Sequence, residues 1–112
     1  MVSSSEFIRG YTEMIILSML IKDDDYIYNI SNTITEVSGG MLSITNPSLV
    51  ITLKKLMDEG KVAAYNKPNE RNVNRKYYTI TKYGKEHYEK NKNDYLVTLD
   101  KIRILLGGGL DD

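Results

Sequence analysis

The side chains best suited to chemistry in this chain are cations and hydroxyls rather than nucleophiles or acid pairs. In Arg75-Lys76-Tyr77-Tyr78-Thr79-Ile80-Thr81-Lys82-Tyr83-Gly84, two adjacent basic residues precede two adjacent tyrosines and a helix-start signal. Such a segment reads as the returning strand of a hairpin that runs into a capped helix, with its cations placed to meet phosphate. Cysteine is absent, which excludes a disulfide framework, a thiolate zinc site and a cysteine nucleophile. His87 is the single histidine, and its charged surroundings in sequence predict a solvent-facing position. No Gly-rich phosphate loop, nucleophile motif or metal-ligand spacing occurs, and Asp23-Asp24-Asp25 cannot form a catalytic pair by adjacency. The expectation is therefore a protein that is not an enzyme and needs no metal or cofactor.

Charge is divided along the chain although its net value is zero. Residues 1–53 carry two basic and six acidic groups, a balance of −4. Residues 54–92 carry eleven basic against five acidic groups, a balance of +6, and the remainder comes to −2. A basic segment inside a neutral chain fits one face that meets phosphate while the rest avoids indiscriminate binding to polyanions. The opening residues, Met1-Val2-Ser3-Ser4-Ser5-Glu6, lack a basic leader, and the apolar run from Met14 to Ile21 is too short to span a bilayer. A soluble cytoplasmic chain without membrane contact is expected.

Among the elements that must hold these residues, the first is marked by Phe7, Tyr11, Met14, Ser18 and Ile21, which fall at helical spacing with Ile8, Ile15, Ile16, Met19 and Leu20 beside them. This first helix, Phe7 to Ile21, is expected to be buried on more than one side, serving a core and a partner subunit. The acidic run Asp23 to Asp25 predicts a capping turn. A second helix follows from Tyr26 to about Val37, with Ile27, Ile30, Ile34 and Val37 on its apolar stripe and Ser38-Gly39-Gly40 as its stop. Met41 to Ile44 reads as a short strand or extended link. Thr45 or Asn46 can cap a third helix with Pro47 as its first residue, and Leu49, Leu53, Leu56 and Met57 form its stripe before Gly60. Val62 to Tyr65 and Arg75 to Ile80 then read as strands around a polar tip, Asn66 to Asn74. Thr81 caps a last helix expected from Lys82 to about Leu106, whose Tyr88, Tyr95, Leu99, Ile102 and Leu106 repeat near every 3.5 residues.

This order predicts a mostly α (α+β) fold, a winged helix-turn-helix with a long C-terminal dimerisation helix. Its parts are a DNA-binding domain over 1–81 including the N-terminal helix, a dimerisation helix over 82–106 and a flexible tail over 107–112. The third helix would turn its leucines inward and present Ser48, Ile51, Thr52 and Lys55 to the major groove, with Asn46 also among the DNA-binding residues. Ser48 and Thr52 would bond bases or phosphate, and Ile51 or Val50 would touch a thymine methyl. Lys54, Lys55, Lys61, Arg71, Arg75 and Lys76 would mostly meet phosphate or, at the wing tip, the minor groove, with Tyr77 among the DNA-binding residues. Phe7, Tyr88, Tyr95, Leu99, Ile102 and Leu106 are the expected dimer seam.

Four segments resemble the PadR family of bacterial transcriptional regulators, over nearly the whole chain. Phe7-Ile8-Arg9-Gly10 with Met14 to Leu20 is similar to the family's first helix, and Tyr26-Ile27-Tyr28-Asn29-Ile30 to the aromatic start of its second. Ser48-Leu49 through Leu53, Leu56 and Glu59-Gly60 resembles its recognition helix, and Arg75 to Thr81 with Gly84 its wing strand and exit. The short length and single terminal helix look like the small PadR subfamily. The resemblance implies a homodimer, operator DNA as partner, and in some members an aromatic or drug-like ligand between subunits that releases DNA. That ligand site would involve Tyr11, Met14 and Ser18 with Tyr95, Leu96 and Leu99 of the partner. The chain departs from the family at Val50 and Ile51, where tyrosine followed by proline or a small polar residue is common, and it has no tryptophan. The expected function is thus a homodimeric sequence-specific regulator, a repressor by steric block. The rival is a winged-helix interaction or antirepressor module that does not read DNA.

Overall fold

Each short helix carries an apolar stripe that it cannot bury alone, so the chain can close a core only by stacking the helices. The computed structural model describes residues 9–108. A turn of 3-10 helix, Arg9–Tyr11, leads into α1 (Thr12–Lys22), then α2 (Ile27–Val37), α3 (Asn46–Asp58), β1 (Val62–Pro68), β2 (Asn74–Ile80) and α4 (Lys82–Arg103), which widens into a turn over Ile104–Gly108. The architecture is the winged helix-turn-helix with a long terminal helix. The first helix is thus described as a regular helix from Thr12 and not from Phe7; Phe7 lies outside the described residues, as does the expected tail from residue 109 onward.

Ile16, Leu17, Leu20, Ile30, Leu49, Leu53 and Leu56 are fully buried, joined by Ile34, Ile44, Val62, Tyr78 and Ile80. On α3 the buried leucines sit at i, i+4 and i+7, and each contributes roughly 1.5–3 kcal/mol by leaving water. Leu17, absent from the expected stripe, is among the most buried side chains. Val37 moves the other way: at the last turn of α2 it is 83% exposed.

Helix starts follow local chemistry. Thr45 is extended and its hydroxyl oxygen accepts the Ser48 N–H at 3.3 Å, so Thr45 and not Asn46 caps α3, and Pro47 stands second, where its missing N–H costs nothing. Thr81 caps α4 in the same way, accepting from the Gly84 N–H at 3.0 Å. The acid run does not cap α2 by a side chain. Asp25 accepts the N–H of Tyr26, one residue before the helix, and the amide of Asn29. Its backbone pairs with Tyr78, fastening the α1–α2 link to β2.

The hairpin is longer than expected. β1 and β2 pair antiparallel from Val62↔Ile80 to Pro68↔Asn74. Only residues 69–73 turn, because the Asn69 side-chain oxygen accepts the N–H groups of both Arg71 and Val73, and Asn72 takes the left-handed conformation at φ 61°. Met41 to Ser43 form no strand.

The 22 residues of α4 span about 33 Å at 1.5 Å per residue. The Cα radius of gyration is 15.8 Å, against about 13 Å for a compact domain of this length, which fits a helix that projects beyond the core. It packs on α1, and past its midpoint the Tyr95 ring meets Tyr11 of the preceding 3-10 turn edge to face at 5.3 Å. Leu99, Ile102 and Leu106 are exposed, Leu106 by 84%.

Candidate nucleic-acid interface

With its leucines committed to the core, α3 leaves one face uncovered. Asn46, Val50, Ile51, Lys54 and Lys55 are exposed, and Ser48 and Thr52 are half-buried. Ile51 is 71% exposed, and with Val50 it leaves two apolar side chains without cover on a face otherwise polar. The hydroxyls have local bonds: Thr45 donates to Ser48 at 2.9 Å and Thr52 donates to the Ser48 carbonyl at 3.0 Å. Ser48 keeps its own O–H to donate and Thr52 keeps oxygen lone pairs to accept, a complementary pair of functions one helical turn apart. Thr12, Glu13, Ile44, Ser48, Ile51, Thr52 and Lys55 line a cleft of about 380 Å³ between α1 and α3.

Lys55 is held. Its ammonium lies 2.7 Å from a Glu13 carboxylate oxygen, and that bond and charge push the Lys55 ammonium above its usual range. Lys61 departs from expectation altogether: it is buried, its Nζ 3.0 Å from Glu59, whose carboxyl it holds below the usual range. It is a structural cation and not a phosphate contact.

On the hairpin, period-2 alternation sends Arg75, Tyr77 and Thr79 to one face and Lys76, Tyr78 and Ile80 to the other. Lys67 and Arg75 stand directly opposite in register. Like charges in that relation repel, and here aromatic rings offset the cost. The Arg75 guanidinium lies 4.0 Å over the Tyr26 ring and the Lys67 ammonium 4.6 Å over Tyr77. Tyr77 in turn stacks on Tyr65 at 5.8 Å and meets Tyr26 edge to face at 5.4 Å. Tyr77 thus ties the wing to the start of α2 through rings. Lys76 sits 5.7 Å over Tyr78, whose phenol is pushed up by burial. Arg71 is exposed at the turn. The Tyr65 hydroxyl donates to Asp24 at 2.6 Å; bonds from Thr79 and Tyr65 hold the Asp24 carboxyl below its usual range, and the Asp24 carboxylate raises the Tyr65 phenol.

Sequence reasoning missed Tyr26, Tyr65 and Lys67 as members of this layer. For Tyr65 and Lys67 the signal was available in the hairpin register, once the turn is placed at Asn69 to Val73, whereas Tyr26 joins the layer only through packing of α2 on the hairpin. It missed Glu13 too, and no local pattern marks a contact spanning 42 residues.

A second site lies between α1 and α4. Tyr11, Met14, Ser18, Tyr95, Leu96 and Leu99, with Ile15, Leu42, Tyr88 and Lys92, line an apolar groove of about 350 Å³. All six expected ligand residues line this groove within one chain. Ser18 donates to the Ile15 carbonyl at 2.6 Å and so adds little polarity to the groove. His87 is half-buried rather than solvent-facing, its ring nitrogen 3.3 Å from the Asn91 amide. Among the described residues no helix is long and apolar enough to cross a membrane.

Residues 16–90 match the transcriptional regulator PadR-like family. The chain belongs to that family. PadR-like proteins are transcriptional regulators and not enzymes. A transcriptional regulator from Clostridium thermocellum is 33% identical, with TM-score 0.78 over 91% of this chain and 96% of its own. Bacillus subtilis PadR, solved in complex with operator DNA, is 28% identical with TM-score 0.63, covering 77% of this PadR-like chain and 47% of that one. An uncharacterized Lysinibacillus sphaericus protein is 27% identical over 104 residues, which is 93% of this chain and 95% of that protein.

Proposed function

We propose that this PadR-like regulator binds operator DNA as a homodimer in the cytoplasm and represses by steric block. The observation that carries the reading is the uncovered face of α3, where Ser48 and Thr52 offer a donor and an acceptor, exposed Ile51 offers an apolar contact for a thymine methyl, and Lys54 and Lys55 flank them. Support comes from the similar Bacillus subtilis protein, whose structure holds operator DNA. In this reading Asn46, Ser48, Ile51 and Thr52 read bases, Arg71, Arg75 and Lys76 contact the backbone or minor groove, and Tyr77 holds the wing in place. DNA upstream of the protein's own gene should shift at submicromolar protein in low salt. Failure to shift it would leave the fold as a protein-binding module.

Residues 1–81 form the reading domain and 82–106 the dimerisation helix. Leu99, Ile102 and Leu106 remain exposed among the described residues of their own chain, so a second copy is their natural partner. Leu99→Asp with Ile102→Asp should convert a dimer into a monomer in sedimentation velocity and abolish operator binding; an intact dimer would remove α4 from the seam. We further assign the groove beside Tyr11, Met14 and Tyr95 to a flat aromatic ligand that releases DNA. Tyrosine fluorescence should quench saturably with planar cationic dyes, and no saturable quenching across a broad panel would remove the ligand.

A further inference from the structure

An acid stands on the side of the molecule that would meet phosphate. Glu13 is on α1, yet its carboxylate reaches α3 and lies 2.7 Å from the Lys55 ammonium. The lysine is the freer partner: its side chain is 58% exposed against 32% for the glutamate. Glu13 is also set on a firm base, because Ile16 and Leu17 in the next turn are fully buried. Among the described residues that line the cleft with Ser48, Ile51 and Thr52, Glu13 is the only acid and Lys55 the only base.

We infer that Glu13 is a specificity-determining residue, one that withholds Lys55 from phosphate on DNA the reading helix does not fit. The inference rests on the DNA-reading function proposed above. For Lys55 to bond a phosphate it must share its ammonium with Glu13 or leave it, and either way the carboxylate then faces a like charge well within one Debye length. On fitting DNA, Ser48, Ile51 and Thr52 supply the contacts and the Glu13–Lys55 pair stays intact. On other DNA those contacts are missing and binding leans on phosphate, so the penalty of drawing on Lys55 falls on non-specific binding alone and widens the ratio between the two. A surface ion pair kept only for the fold would alter melting but not this ratio.

The test compares wild type, Glu13→Gln, Lys55→Ala and the double variant on two duplexes of equal length, the DNA upstream of the protein's own gene and a scrambled version, across a salt series. Glu13→Gln is expected to tighten binding to the scrambled duplex about two- to fivefold, more than to the upstream duplex. Its salt slope there should steepen by about 0.9 per subunit, the increment for one more phosphate neutralised. The tightening should vanish in the Lys55→Ala background. Equal tightening on both duplexes, tightening that survives without Lys55, or none at all would overturn the assignment while wild-type binding stands. Wild type that binds neither duplex would overturn the DNA-reading function and this inference with it.

Discussion

Replacing Gly84 with alanine is expected to lower stability by about 3 kcal/mol, a fall of more than about 10 °C in melting temperature. A Cβ at this position would overlap the Lys61 carbonyl oxygen and press on the Ile80 side chain. The obstacle is backbone, which cannot turn aside as a flexible side chain would. Gly84 lies in a joint where the chain leaving α3 meets the chain entering α4. The Thr81 N–H donates to the Lys61 carbonyl at 3.0 Å, and the Thr81 hydroxyl donates to the Gly60 carbonyl at 2.6 Å. Gly60 itself needs the left-handed conformation at φ 76° to end α3 there. The joint sets the angle between α3 and α4, and in the proposed dimer hence the spacing of the two α3 helices. Gly10→Ala is the control: among the described residues nothing lies within 4 Å of its Cβ position, and calorimetry should show a change within about 0.5 kcal/mol. Equal melting temperatures for the two variants would show that the close packing at Gly84 is not required.

A large functional effect is expected from Arg71→Ala with Lys76→Ala. Both residues are exposed on the wing, so melting should stay within a few degrees of wild type. In a dimer the change removes four cations. Operator affinity should fall about a hundredfold or more at low salt, and the dependence of log affinity on log salt should flatten by about 0.9 for each phosphate left without its cation. Arg75→Ala should behave differently, because that guanidinium covers the Tyr26 ring and stands opposite Lys67. It should lose affinity and also loosen the wing against α2, read as faster amide exchange near Asp25 and Tyr78. Unchanged affinity in the Arg71 and Lys76 variant would place the nucleic acid elsewhere.

Much of this architecture is legible in the chain because its punctuation is local. Thr45 with Pro47, Thr81 with Gly84, and Gly60 after a leucine stripe each act within one helical turn, and the structure uses each as a boundary. The basic strand was legible for the same reason. What escaped depends on contacts between elements. The hairpin extends to Pro68 and Asn74 because the Asn69 side chain replaces two backbone partners in the turn, which composition cannot show. Lys61 reads as one more cation in a basic stretch, but the turn at Gly60 places it inward against Glu59. Glu13 gives no sign of reaching Lys55 until α1 and α3 pack. The exposed end of Val37 and the buried Leu17 mark the same limit: periodicity finds a face, and packing decides where that face begins and stops.

Operator reading by this protein is tested most directly by the salt dependence of wild-type binding to the DNA upstream of its own gene. Phosphate contacts from both wings and both reading helices predict a linear fall of log affinity with log salt, amounting to about a thousandfold or more between 50 and 200 mM. An affinity that stays level across that range, or no binding at submicromolar protein in low salt, would contradict it.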